Sequence, residues 1–292
     1  MVIIASREGQ LANRLWHASV FIANALANKY KIVHLFFDDY YPLFSERLNR
    51  TDHPLIIAGK KNKLWLNILR YIFRFMIRIS RRTGWKKFSF CELILHEGYE
   101  MQKESYDLQS QDFITKAKSK FVICSGWLFS DSANMQKYKK LLLDIWTPNS
   151  QFIKNINAYH DRYSRGNDIL VGVHIRRGDY KKFNDGIWFF ELSDYYEKMK
   201  EMASLEEFAG KKIAYVICSN EKDICFDKAE NFDILYEPRH FIEDLYLLAK
   251  CNYILGPPSS FSMWASFYGS VPLYMLRDIN SPMEHTKFAV YN

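Results

Sequence analysis

The chain has 292 residues, 48% of them hydrophobic and 25% charged, an ordinary globular composition with room for one large domain or two smaller ones. With 40 Lys and Arg against 33 Asp and Glu, the net charge of +7 favours an anionic partner: nucleic acid, an acidic membrane surface or a phosphorylated small molecule. The cysteines (Cys91, Cys124, Cys218, Cys225, Cys251) are odd in number and show no C-x-x-C spacing, which argues against zinc and disulfide frameworks and for free, mostly buried thiols.

In chain order, Val2–Ser6 reads as a short buried strand. The apolar run is too short for a signal peptide or a membrane anchor, so a soluble, cytoplasmic protein is expected. A polar loop, REGQ, precedes a helical pattern over 11–30, and 31–37 reads as a second strand. Strand, loop, helix and strand form a βαβ unit and imply a parallel sheet. The middle is less regular. The spacing predicts a helix over 61–82, a strand over 120–127 and a helix over 135–146 that Pro148 helps to stop.

Alternation returns with a strand at 168–175 and a helix at 193–205 with Ser193 as N-cap. It continues as a strand at 212–219, a helix at 221–230, a strand at 232–237 and a helix at 242–251. A strand at 253–256, a helix at 259–269 and a strand at 271–276 complete it. These β-runs are near-continuously apolar, as strands covered on both faces are. The pattern is that of an α/β chain with two Rossmann-like domains, 1–150 and 165–292, and the boundary falls between 148 and 167.

In an open parallel sheet, ligands bind at the carboxyl ends of strands. Arg176 and Arg177 sit at such an end, with Gly178 permitting a tight turn, and two guanidinium forks suit a diphosphate. The alternative is a pair of solvated loop charges. Farther on, a strand ends at Gly256, Pro257 and Pro258 stiffen the turn, and Ser259, Ser260 and Ser262 open a helix. Such a helix start binds anions, although capping alone accounts for one serine. No zinc, RRM or helix-turn-helix signature supports a nucleic-acid partner, and the basic residues are dispersed.

HIRRGDY (174–180) resembles the H-x-R-R-G-D-Y signature of the α-1,2-fucosyltransferase family. SSFSMWASF (259–267), CSNEKD (218–223) and REGQLANRLWHAS (7–19) resemble three further motifs of that family, in its order. The resemblance implies a GT-B-like architecture, two Rossmann-like domains facing a central cleft, with an acceptor-side N-terminal domain and a C-terminal donor domain. It also implies GDP-fucose as donor, inversion at the anomeric carbon, and transfer to a galactose hydroxyl of a surface polysaccharide. Carried over by position, Arg176 would contact the donor diphosphate, with Arg177 supporting it or the loop. His174 would orient the site or touch the nucleoside, Asn220 would lie near the nucleotide, and Asp244 would hydrogen-bond guanine unless it is a solvated helix carboxylate. Ser259, Ser260, Phe261 and Ser262 would run along the phosphates and base. Gly9, Gln10 and Asn13 would form an acceptor-side loop. Glu8 and Asp179 are the two candidates for general base, with Glu8 preferred because Asp179 can pair with an arginine.

The chain departs from that pattern at Ala12, Arg14, Met263, Pro257 and Pro258. Another GDP-sugar as donor, or a silent sugar-nucleotide or glycan-binding protein, are the rival readings. The sequence has no D-x-D triplet, and the adjacent Asp38 and Asp39 would point apart, so no cofactor and no divalent metal are expected. Trp127, Phe129, Trp188, Phe189 and Phe190 could stack on a sugar or fill the core. Arg70, Arg74 and Arg78 recur at i+4 in an otherwise apolar helix. Over 64–82 this is either a core helix with one wet stripe or an interfacial helix that meets the inner face of the plasma membrane, where a lipid-linked acceptor would be found.

Overall fold

Strand propensity and helical periodicity alternate through the chain, and the computed structural model, which describes residues 1–58, 63–96, 104–221, 224–226 and 232–291, assembles them as two compact units, Met1–Asn149 and Ser150–Asn292.

In the N-terminal unit the strands β1 (Val2–Ile4), β2 (Ile32–His34), β3 (Leu55–Ile57), β4 (Cys91–His96) and β6 (Phe121–Gly126) form one parallel sheet in the order β3-β2-β1-β6-β4. β1 is central, with Ile3 opposite Val33 on one side and Ile123 on the other. The short strands β5 (Tyr106–Asp107) and β7 (Phe129–Ser130) pair separately. The helices are α1 (Leu11–Asn28), α2 (Ser45–Leu48), α3 (Lys63–Thr83), α4 (Gln111–Ser119), α5 (Ser132–Lys137) and α6 (Lys139–Ile145). The helix expected over 135–146 is therefore two, meeting at Tyr138, and Asp131 caps the first by accepting from Asn134 N–H.

β4 escaped the sequence reading because it carries a charge inside a buried run. Glu92 is 5% exposed and is neutralised by Lys116 and Lys120, each at 2.8 Å, from the segment after β5. The helix α3 overturns the expectation of a core helix with one wet stripe. Only Leu66, Ile77 and Ser80 are buried, and most of its large apolar side chains face solvent.

The C-terminal unit starts with α7 (Ser150–Ser164), a helix in the stretch read as a connection, and it packs on the same unit's α9 (Phe241–Leu248). Its parallel sheet runs β10-β9-β8-β11-β12, from β8 (Ile169–Ile175), β9 (Ile213–Ser219), β10 (Asp233–Leu235), β11 (Tyr253–Gly256) and β12 (Leu273–Met275). The order turns about β8, so the switch point lies between β8 and β11. α8 (Leu192–Ala203) and α10 (Ser260–Gly269) complete the unit. Ser193 lies inside α8 and is not its cap; Asp194 Oδ2 instead accepts from the Glu191 N–H at 2.8 Å. The helix expected over 221–230 falls largely outside the described residues. Val171, Val173, Ile217, Leu255 and Tyr274 are among the residues that fill the sheet's core.

Candidate functional site

Each unit carries its candidate residues at the carboxyl end of its central strand. In the C-terminal unit β8 ends in His174 and Ile175, both buried, and the chain turns at Gly178, whose φ of +50° favours glycine. The next residues form a 3-10 turn, Gly178–Lys181.

Neither arginine is a freely solvated loop charge: their side chains are only 16% and 20% exposed. They differ in their partners. Arg177 reaches Glu191 at 2.8 Å and Glu221 at 3.6 Å, lies over the Phe189 ring, and donates its backbone N–H to Asn220 Oδ1 at 3.4 Å. It is a brace for the loop. Among the described residues Arg176 has one ion pair, with the half-exposed Asp179 at 2.7 Å; the buried Nε of each arginine finds no acceptor. Both guanidiniums keep unused donors, and Arg176, with one anionic partner to Arg177's two among the described residues, is the less committed of the pair.

The second wall is the start of α10. Ser259 caps it, its Oγ accepting from Phe261 N–H at 3.3 Å. First-turn N–H groups of a ten-residue helix carry a partial positive charge, and no acidic residue occupies that turn. Tyr180 OH donates to Pro258 O at 2.7 Å and so fastens the turn after β8 to the turn after β11. His174 Nδ1 lies 3.1 Å from Ser262 Oγ, and its ring packs 4.9 Å from that of Phe261. Burial, with Arg176 nearby, lowers the His174 pKa to about 3, so the imidazole is neutral and adds no further cation beside Arg176.

Ser262 is fully buried, and its hydroxyl meets His174, Pro257 O and Ser259 O. It ties the strand to the turn and offers nothing to a ligand surface, unlike the half-buried Ser259, Ser260 and Phe261. Asp244, in the first turn of α9, is not a solvated carboxylate. It is 7% exposed and accepts from Arg239 Nε at 2.8 Å, while Arg239 also donates to Ile217 O and Tyr163 OH. Asn220 sits beside Gly178, just past β9; Lys222 and Asp223 of the same motif lie outside the described residues.

In the N-terminal unit the loop after β1 holds Glu8, Gly9 and Gln10. Gly9 has a φ of +52°, and a Cβ there would overlap the Asn13 side-chain amide, so the loop's shape depends on having glycine at that position. Arg14, where the resembling family has glutamine, is 2% exposed. Its guanidinium donates to Gly9 O, to Phe36 O at 2.7 Å and to Asp39. This positioning residue was missed as a site residue; an arginine on the apolar face of α1 was the available signal. Asp38 and Asp39 serve separate arginines, Arg70 for the first and Arg7 and Arg14 for the second.

Glu8 lines a pocket of about 440 Å³, together with Arg7, Trp127 and three arginines of α3, Arg74, Arg78 and Arg81. Of the other aromatics singled out, Phe129 and Phe190 are buried, and Trp188 packs against the core. Among the described residues, no group of three His, Cys, Asp or Glu is placed to hold a metal ion.

The model of glycosyl transferase family 11 matches residues 78–285, most of the chain, including β8, the Arg176 turn and the serine-opened α10. The chain belongs to glycosyl transferase family 11. The matched stretch of this glycosyltransferase leaves the Glu8 loop outside it. No curated protein matches its sequence. Its fold is similar to that of a mutant of Arabidopsis thaliana FUT1 in complex with GDP, with TM-score 0.63 and 13% identity over 99% of this chain and 73% of that one. It is also similar to fucosyltransferase NodZ from Bradyrhizobium, with TM-score 0.53 and 14% identity over 94% of both chains. NodZ α-1,6-fucosyltransferase soaked with GDP-fucose gives TM-score 0.52 and 14% identity over 94% of each. The GT-B-like fold class expected of this family 11 glycosyltransferase is shared with these enzymes.

Proposed function

We propose that this family 11 glycosyltransferase transfers fucose from GDP-fucose to a hydroxyl of a glycan acceptor, inverting the anomeric carbon and forming an α-1,2 linkage to galactose in a surface polysaccharide. The observation that carries the reading is the pairing of Arg176, a guanidinium with unused donors and one ionic partner among the described residues, with the α10 N-terminus, the two turns being fastened by Tyr180 and Pro258. That arrangement suits a diphosphate. Fold relatives solved with GDP and with GDP-fucose support the nucleotide, and the H-x-R-R-G-D-Y resemblance supports the α-1,2 linkage.

The C-terminal unit holds the donor and the N-terminal unit the acceptor. The acceptor oxygen attacks C1 of fucose from the face opposite the diphosphate. Its proton passes to the Glu8 carboxylate as the new C1–O bond forms. The electrons of the breaking C1–O bond go to the diphosphate, which leaves as GDP. Arg176 and the first N–H groups of α10 stabilise the charge developing there, and no divalent cation is needed. Asp179 serves as the ionic partner of Arg176. Gly9, Gln10 and Asn13 shape the acceptor side, and the enzyme acts from the cytoplasm on an acceptor carried by a membrane lipid.

The test is a thermal-shift panel of GDP-fucose, GDP-mannose, UDP-sugars and CMP-sugars, followed by mass spectrometry with galactose-terminated glycans. GDP-fucose should stabilise most and add one deoxyhexose to the glycan. Preference for GDP-mannose, or stabilisation without product, would reject the fucosyl reading in favour of another donor or a silent binder.

A further inference from the structure

The helix α3 presents three stripes. At 100° per residue, Leu66, Phe73, Ile77 and Ser80 fall on one side and meet the sheet's core. Lys63, Asn67, Arg70, Arg74, Arg78 and Arg81 fall on the neighbouring stripe. The remaining arc, close to half the circumference, holds Ile68, Leu69, Tyr71, Ile72 and Phe75, all exposed, with Tyr71 at 72% and Phe75 at 53%. Leu64 and Trp65 extend this arc towards the helix start. A soluble helix ordinarily turns its apolar face inward, and one that turns large apolar side chains outward has a surface to cover.

Charge decides what covers it. The 21 residues of α3 contain Lys63 and Arg70, Arg74, Arg78, Arg81 and Arg82, and no Asp or Glu. Arg70 is neutralised by Asp38, but Arg74 and Arg78 make no ion pair among the described residues. Two copies of the chain packed through this face would set two such cationic helices against each other. An anionic, apolar-centred surface satisfies both stripes together. The pattern continues past the helix end, where Trp85 and Phe90 are exposed on either side of Lys86 and Lys87. No helix among the described residues is long and apolar enough to cross a membrane.

We propose that α3 is a membrane-docking helix that lies in the plane of an anionic bilayer, its Ile68–Ile72–Phe75 face among the acyl chains and its arginines at the lipid phosphates. At 1.5 Å per residue it offers a contact about 31 Å long. Arg74, Arg78 and Arg81 also wall the Glu8 pocket, so docking sets that pocket beside the headgroups, where the sugar of a lipid-borne acceptor lies. The link to the acceptor rests on the proposed function; the docking rests on the helix alone.

The test is flotation with vesicles of phosphatidylcholine alone and of equimolar phosphatidylcholine and phosphatidylglycerol, at low and high salt, with no substrate present. The protein should float with the anionic vesicles at least about tenfold more than with the neutral ones, and high salt should weaken this. The triple variant Ile68→Ser, Ile72→Ser, Phe75→Ser should lose flotation and keep its melting temperature, since it removes only exposed apolar groups. Absence of binding to anionic vesicles at low salt overturns the proposal. So does undiminished flotation of the triple variant, or sedimentation velocity showing a dimer that the same substitutions dissociate. Because no turnover is read, a failed glycosyl-transfer assay leaves this result standing, and the converse holds.

Discussion

Replacing Arg176 by Ala separates stability from chemistry. Among the described residues the side chain's one ion pair is with Asp179, a carboxylate 57% exposed. Exposed pairs contribute about 0.2–1 kcal/mol. The loss to folding is therefore small, a drop in melting temperature of a few degrees at most. In the proposed reaction the same guanidinium faces the charge growing on a leaving diphosphate. Removing one preorganised donor from such a site costs about 2.7–4 kcal/mol, or about 10² to 10³ in kcat. Arg176→Lys keeps the charge without the planar fork and should fall between parent and Ala variant. The assay is steady-state GDP release from GDP-fucose with acceptor present, alongside thermal unfolding of each variant. A kcat for Arg176→Ala within about fivefold of the parent, with unchanged melting, would show that the diphosphate is not gripped at this strand end.

Further outcomes follow from the same geometry. Glu8→Gln keeps the shape of the pocket and removes the proposed proton acceptor, so kcat should fall by about 10²-fold or more with the donor KM nearly unchanged; an unaltered kcat rejects Glu8 as base. Asp244→Asn leaves the fully buried Arg239 without its counter-charge and should cost about 3 kcal/mol in urea denaturation; weakened GDP binding with intact stability would instead assign Asp244 to the base. Buried histidines make the fold acid-sensitive. Burial holds His174 at about 3 and His17 at about 4, below the ordinary value of 6.5, so the unfolded chain takes up protons that the folded chain refuses. Their stabilising contribution is complete above pH 6.5 and fades as pH falls towards the folded values, by about 2 kcal/mol each at pH 5. A melting temperature that stays level from pH 7.5 to pH 5 would contradict this.

The sequence by itself determined the alternation. β8, β9, β11 and α10 lie within a residue or so of where periodicity and turn chemistry set them, because a buried parallel strand and a capped helix are local patterns. It also marked Arg176, Arg177 and the serine-opened helix as one site, since strand ends and helix starts are where an open sheet exposes its donors. What it could not determine were relations between distant residues. The family resemblance gives Arg176 the diphosphate and Arg177 a supporting role, but it does not show what holds them; Glu191 and Glu221, brought up by other segments, brace Arg177, while Asp179 is Arg176's one ionic partner among the described residues. Ser262 resembles its neighbours until His174 is found packed against it. Glu92 breaks a strand pattern until two lysines from the segment after β5 neutralise it. The composition of α3 shows an amphipathic helix, yet which stripe faces the sheet is set by the few side chains that fit there, and the choice of Leu66 and Ile77 is what turns Ile72 and Phe75 outward. Periodicity is written along the chain, whereas burial and charge pairing depend on neighbours the chain meets only once it is folded.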